Sequence, residues 1–166
     1  MADTMRLPRM LAAAAVAICL TAVLHPRAAE TFKPFKLKAL DGSNRTLADF
    51  RNRATLIVFF HPTCQYCMAA LPKIQAITDT YKDRGLSAVW INVLPEENRL
   101  LKEWQEEHRL TAPILAATSS VQRNYGLTMT PTHVLIDSQG TVLWKHAGYR
   151  EGDEAQIESE IARALK

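Results

Sequence analysis

The run ATLIVFF, from Ala54 to Phe60, constrains this chain more than any other segment. It is a continuous apolar stretch rich in branched and aromatic residues, with no polar alternation. It therefore reads as a strand that must be covered on both faces. Its carboxyl end delivers the chain to HPTCQYC, where Cys64 and Cys67 bracket Gln65-Tyr66. Beyond the pair, Leu71, Ile74, Ile77 and Tyr81 recur at helical spacing until Gly85 stops the run.

The same pattern continues downstream. LSAVWINV, Leu86 to Val93, is a second strand, and EENRLLKEWQEEH a second helix whose inner face carries Leu100, Leu101 and Trp104. Strand, helix, strand, helix predicts a sheet that is parallel in this part, joined by right-handed crossovers and covered by helices on both sides. After Pro113, ILAA is a short strand and SSVQRNYG a short helix closed by Gly126. THVLID and TVLWKHAG, joined by SQG, form an antiparallel hairpin, and Asp153 to Lys166 closes the chain as a helix with Ile157, Ile161 and Leu165 on one face. Ahead of all this, FKLKALDGSNRTL alternates and turns at Asp41-Gly42, predicting a small N-terminal hairpin.

Residues 1–29 are read separately. Arg6 and Arg9 precede an apolar stretch from Leu11 to Leu24, followed by His25, Pro26, Arg27, Ala28 and Ala29. This is the layout of an export leader, either cleaved as a signal peptide or kept as an inner-membrane tether by residues 10–24. Its apolar part is shorter than the roughly 20 residues of an ordinary spanning helix. Residues 30–166 form one domain in an oxidising compartment, expected to be the periplasm. Cys19 sits in the apolar stretch behind the bulky Ile18 and is read as filler. Without Arg6, Arg9, Arg27 and Asp3, seventeen basic and sixteen acidic residues remain. So even a balance gives no reason to expect nucleic acid as a partner, and the domain is expected to be a monomer.

Outside the leader, Cys64 and Cys67 are the only cysteines. A CxxC at a helix start puts its first sulfur where unpaired backbone N–H groups and the positive end of the helix dipole converge. That favours thiolate, the form that reacts in thiol–disulfide exchange. Cys64 is thus expected to be the exposed nucleophile and Cys67, one turn along and less exposed, the resolving thiol. No cofactor is needed beyond the redox-active disulfide they form. In TMTPTH, a proline just before a strand is suited to a cis peptide. Pro131 is assigned to it, leaving the Thr130 backbone to pair with an extended substrate. Tyr66, forced to the surface between the cysteines, is expected to contact partners.

The strand before CxxC, the helix after it and the distant Thr130-Pro131 before a strand together resemble the thioredoxin superfamily. Within it they are similar to the exported TlpA and ResA-like thiol–disulfide oxidoreductases, which include the reductases of cytochrome c biogenesis. The likeness runs from about Leu40 to Ala162, through LDGSNRTLADFRN, LIVFFHPTCQYC and NYGLTMTPTHVLIDSQG. It implies an α/β thioredoxin fold, a central mixed sheet flanked by helices, here with an extra N-terminal β-hairpin. It also implies reduction of protein disulfides with electrons from a membrane thiol transporter. The chain departs from the pattern at the approach to CxxC, where Phe60 and Thr63 replace tryptophans. The buried acids of the family are missing, with Val58 and Ala70 in their places, and Gln65-Tyr66 is an unusual dipeptide.

Other readings of the same residues belong beside this one. A structural disulfide closing so short a loop would constrain the unfolded chain little. Zinc would need about four ligands. A copper-binding module would use Cys64 and Cys67 with His133, although His133 is read as pointing into a hydrogen bond and Met129 as packed. A thiol peroxidase would use Cys64 on hydroperoxide, but HPTC does not reproduce the usual spacing of proline and Thr or Ser before such a cysteine. His61, three residues before Cys64, would stabilise the thiolate when protonated or else be solvated at the strand end. Trp90, Trp104 and Trp144 read as core, and Glu96-Glu97 as the first turn of a helix.

Overall fold

All seven residues of β3 (Ala54–Phe60) are buried, as the unbroken apolar run requires. The structure is a computed structural model that describes residues 29–166. The leader and Cys19 lie outside the described residues. β3 pairs parallel with β4 (Leu86–Asn92) and antiparallel with β6 (Thr132–Asp137). With β5 (Ile114–Leu115) beyond β4 and β7 (Val142–Ala147) beyond β6, the sheet runs β5-β4-β3-β6-β7. β1 (Lys36–Lys38) and β2 (Asn44–Thr46) form the expected separate hairpin, turned at Gly42 with φ +82°. Ala39 bridges to Leu115, so the hairpin covers the β5 edge.

Strand periodicity splits the core into two layers. Leu56, Val58 and Phe60 face one side with Cys67, Leu71 and Ile74 of α1 (Gln65–Tyr81) and Ile157 and Ile161 of α4 (Asp153–Ala164). Ile57 and Phe59 face the other, with Phe32, Phe35 and Val121 of α3 (Val121–Asn124). A one-residue slip of β3 would exchange these sets, so the register is strongly specified. This is the thioredoxin fold, with the additional N-terminal hairpin.

The second helix differs from its expected form. Pro95 opens a 3-10 segment, Pro95–Leu100, and only Leu101–Glu107 (α2) is α-helical. The Asn98 side chain explains the break, because its Oδ1 accepts from Asn92 Nδ2 at 2.9 Å and from the Ala117 N–H at 2.8 Å. Leu101 and Trp104 are buried, whereas Leu100, expected inside, is half-buried.

α1 and α4 are tied at the surface. Lys73 Nζ donates to Glu154 Oε1 at 2.8 Å, and Tyr149 OH and the Gly152 N–H donate to Glu154 Oε2 at 3.0 and 2.9 Å. The Lys73 ammonium, ahead of the backbone donors, holds the Glu154 carboxyl down to about 2 from its ordinary 4.5. A depressed folded value makes this stabilisation fully present above 4.5 and lost as pH falls through about 2. Glu154→Gln should therefore flatten the acid limb of a stability-against-pH curve in that window. The effect will be modest because the pair meets solvent, and acid unfolding followed by circular dichroism will measure it.

Candidate active site

β3 ends at Phe60, and four residues later Cys64 caps α1 with non-helical φ −79° and ψ 107°. In this position the Cys67 N–H donates to Cys64 Sγ at 3.1 Å, one of the N–H groups a helix start leaves unpaired. Cys64 and Cys67 are joined as a disulfide, with Cα atoms 5.2 Å apart. The order of access is as expected, but the amount is not. Cys67 is fully buried, and Cys64, expected to be exposed, is only 7% exposed. The reason is the loop before β6: the Thr130 carbonyl oxygen lies 3.6 Å from Cys64 Sγ, and Thr130 Oγ1 donates to the sulfur at 3.4 Å.

The Thr130–Pro131 peptide is cis. Pairing of β6 with β3 begins one residue later, at Thr132 opposite Phe59. The Pro131 carbonyl accepts from the Gly148 N–H at 2.7 Å. Beside Thr130 opens a cavity of about 480 Å³, lined by Tyr66, Met129, His146, Tyr149 and Asp153 among others. Tyr66 is 56% exposed on its rim. Met129, read from sequence as packed, is instead 52% exposed, with its sulfur resting near Gly148. The φ of +87° at Gly148 is one that a side chain adopts with strain, and an added Cβ would lie 3.1 Å from that sulfur.

His61 directs its Nδ1 to Thr63 and Glu97. Its Nδ1 lies 3.1 Å from Thr63 Oγ1 and 3.4 Å from Glu97 Oε2. Glu97 in turn accepts from Thr63 Oγ1 at 2.7 Å and from the Thr63 N–H at 3.2 Å. This carboxylate thus pins the loop that presents Cys64. Sequence reading placed Glu97 in a helix first turn, which is where it sits, but no spacing linked it to Thr63.

His133 also departs from expectation. It is fully buried on β6, and neither ring nitrogen makes a hydrogen bond. Among the described residues no cluster of three or more His, Cys, Asp or Glu side chains is placed to hold a metal ion. The Cys64–Cys67–His133 ligand set is therefore not assembled. Beneath the motif, Phe60 stacks on Trp104 with centroids 4.6 Å apart and meets Trp90 edge-on at 5.7 Å. Trp104 Nε1 donates to Met68 Sδ at 3.2 Å. Trp90 and Trp104 are core as expected; Trp144 is half-buried and stacks on His146 with centroids 5.6 Å apart.

Comparison with known proteins agrees with this geometry. A family model described as the AhpC/TSA family matches residues 28–145. The thiol-disulfide oxidoreductase ResA of Halalkalibacterium halodurans is 24% identical over 141 residues, 84% of this chain and 78% of that protein. The thioredoxin-like protein YneN of Bacillus subtilis is 26% identical over 116 residues, 69% of this chain and 68% of its own length. Among solved structures, a thiol:disulfide interchange protein of the thioredoxin family from Chlorobium tepidum superposes with a TM-score of 0.73 at 22% identity, covering 86% of this chain and all of that one.

Proposed function

Since the chain belongs to the AhpC/TSA family, and its relatives include proteins named thiol-disulfide oxidoreductases, we infer that Cys64 and Cys67 are the reacting centre of an enzyme of that activity. The observation that carries this reading is the disulfide at the start of α1, with Cys64 Sγ held between the Cys67 N–H and Thr130. Those donors, with the helix dipole, favour a thiolate at Cys64 once the bond is reduced.

Exchange then runs in two steps. The Cys64 thiolate attacks a partner disulfide, forming a mixed disulfide and releasing one partner thiolate. Cys67 attacks Cys64 Sγ, restoring the internal disulfide and releasing the second. The partner's extended backbone lies along Thr130 and Pro131, and its side chains enter the cavity rimmed by Tyr66. Because Cys64 is largely covered, the partner must enter this groove to reach the sulfur.

The finer assignment is a periplasmic reductase, exported by residues 1–29 and recharged by a membrane thiol transporter. Ala70, where the cytochrome-maturation relatives carry an acid, argues for protein disulfides beyond those of apocytochromes. The reduction potential of the pair tests direction. A value near thioredoxin's, about −270 mV, is expected for a reductase, and one near about −120 mV would make the enzyme an oxidant. Consumption of hydroperoxide without added disulfide would favour a peroxidase instead.

A further inference from the structure

We propose that Glu97 is a positioning residue for Cys64: its carboxylate clamps Thr63, so that the Cys64 sulfur stays at the tip of α1 once the disulfide is reduced. The proposal rests on the exchange reading above. In the oxidised protein the bond to Cys67 itself fixes Cys64. Reduction removes that tie, and the place of the sulfur is then set by the backbone that leads up to it. The Thr130 contacts cannot substitute at that moment, because an incoming partner lies along Thr130.

That backbone is a turn. The Cys64 N–H donates to the His61 carbonyl at 3.1 Å, closing His61–Cys64 with Pro62 in second position, where its ring pre-sets φ. Such a turn uses only its first carbonyl and its last N–H. The Thr63 N–H is left over, and Glu97 takes it: Oε2 accepts from this N–H at 3.2 Å while Oε1 accepts from Thr63 Oγ1 at 2.7 Å. Two bonds to two oxygens fix both the place of Thr63 and its rotation. Glu97 can clamp because it is itself held. Asn92, fully buried at the end of β4, accepts from the Leu94 N–H at 3.2 Å and donates to the Leu94 carbonyl at 2.7 Å and to Asn98 Oδ1 at 2.9 Å. Asn98 bonds the Ala117 N–H and carbonyl at 2.8 and 2.9 Å, and the Glu97 N–H donates to the Leu94 carbonyl at 3.0 Å. A satisfied amide network of this kind is rigid. It carries the position of the β4 end across to the residue before Cys64.

Glu97 acts on the thiolate in two opposing ways. As a negative charge it disfavours a second anion nearby. As a clamp it keeps Cys64 Sγ 3.1 Å from the Cys67 N–H and at the positive end of α1. The charge is shared among the two Thr63 donors and His61 Nδ1, 3.4 Å from Oε2, and the side chain meets solvent at 15% exposure. Its repulsion is therefore screened. The bond from the Cys67 N–H works only at contact and is lost if the sulfur shifts by about an ångström. Positioning thus outweighs repulsion, and Thr63 and Glu97 act as one unit.

The test is the rate of Cys64 alkylation by iodoacetamide in the reduced protein, followed against pH to give the thiolate pKa. Glu97→Ala removes both bonds, and its Cys64 pKa should rise by about one unit, slowing alkylation below that pKa by about tenfold. Thr63→Val keeps the carboxylate and removes one bond, so a slowing of about threefold is expected there and owes nothing to a lost charge. Glu97→Gln keeps an oxygen for the Thr63 hydroxyl and should recover part of the loss. Adding Thr63→Val to Glu97→Ala should cost nothing further, since the hydroxyl has already lost its acceptor. A Cys64 pKa at or below the wild-type value in Glu97→Ala, or unchanged in Thr63→Val, would overturn the proposal; Thr63 is exposed, so the second variant leaves the fold intact. Hydrogen exchange at the Thr63 amide gives an answer in the unaltered protein. Its protection should survive reduction, and loss of protection in the reduced form would also overturn the clamp. A Cys64 that ionises like a free cysteine in the unaltered protein would instead refute exchange itself.

Discussion

Cys64→Ser is expected to lower disulfide exchange by about a thousandfold or more, to the buffer background, while Cys67→Ser retains the first attack and stops at the mixed disulfide. The difference follows from what each sulfur has around it. Cys64 Sγ accepts from the Cys67 N–H and the Thr130 hydroxyl and sits at the positive end of a 17-residue helix. These interactions stabilise an anion on sulfur, whereas a serine hydroxyl at the same point stays protonated and does not attack disulfides. Losing the nucleophile removes the whole pathway, so its cost does not divide among neighbouring groups. Cys67 acts only afterwards, and its absence leaves the intermediate without an internal attacker. Non-reducing electrophoresis of Cys67→Ser incubated with a disulfide-bonded protein should show a covalent adduct that thiols release. Turnover at the wild-type rate in Cys67→Ser would mean that an external thiol resolves the intermediate and that the pair is not the working unit.

Much of this was legible in residue order, for reasons particular residues make plain. Leu71, Ile74, Ile77 and Tyr81 are all buried at the helical spacing that predicted α1, because period alone decides which face meets the sheet. The Thr130–Pro131 peptide is cis where TMTPTH suggested it. Misplaced expectations involve side chains whose roles depend on distant partners. Asn98 converts the start of the second helix to 3-10 by bonding to Asn92 and Ala117, neither of which helical spacing relates to it. His61 turns its Nδ1 to Glu97, thirty-six positions away. The cover on Cys64 comes from Thr130, sixty-six positions on. Periodicity reports burial of a face; it carries no information about which polar atoms the fold will bring together.

Phe60→Ala is the substitution expected to cost the most stability near the site, about 3–5 kcal/mol. Phe60 is fully buried, stacks on Trp104 at 4.6 Å and meets Trp90 at 5.7 Å. Truncation loses transfer free energy and leaves a cavity between two indoles, which are too large to close it by small shifts. Against a total of roughly 5–15 kcal/mol for an ordinary domain, that is a large fraction, and it corresponds to about 10–20 °C in melting temperature. Phe60→Leu separates the contributions. It keeps most of the apolar contact but gives up the ring pairs, worth about 0.5–1.5 kcal/mol each beyond burial, so its melting point should fall between the wild type and Phe60→Ala. The damage should reach the chemistry, because the Phe60 carbonyl accepts from the Val93 N–H at 2.9 Å and the next residues form the loop that carries Cys64. Trp104, which bonds Met68 in the first turns of α1, supports the same loop from below. Thermal unfolding by circular dichroism, run beside Cys64 reactivity on the same samples, should show reactivity failing at the lower temperature. A Phe60→Ala variant melting within a few degrees of the wild type would show that the indoles close over the gap and that the platform is not what holds the sulfur in place.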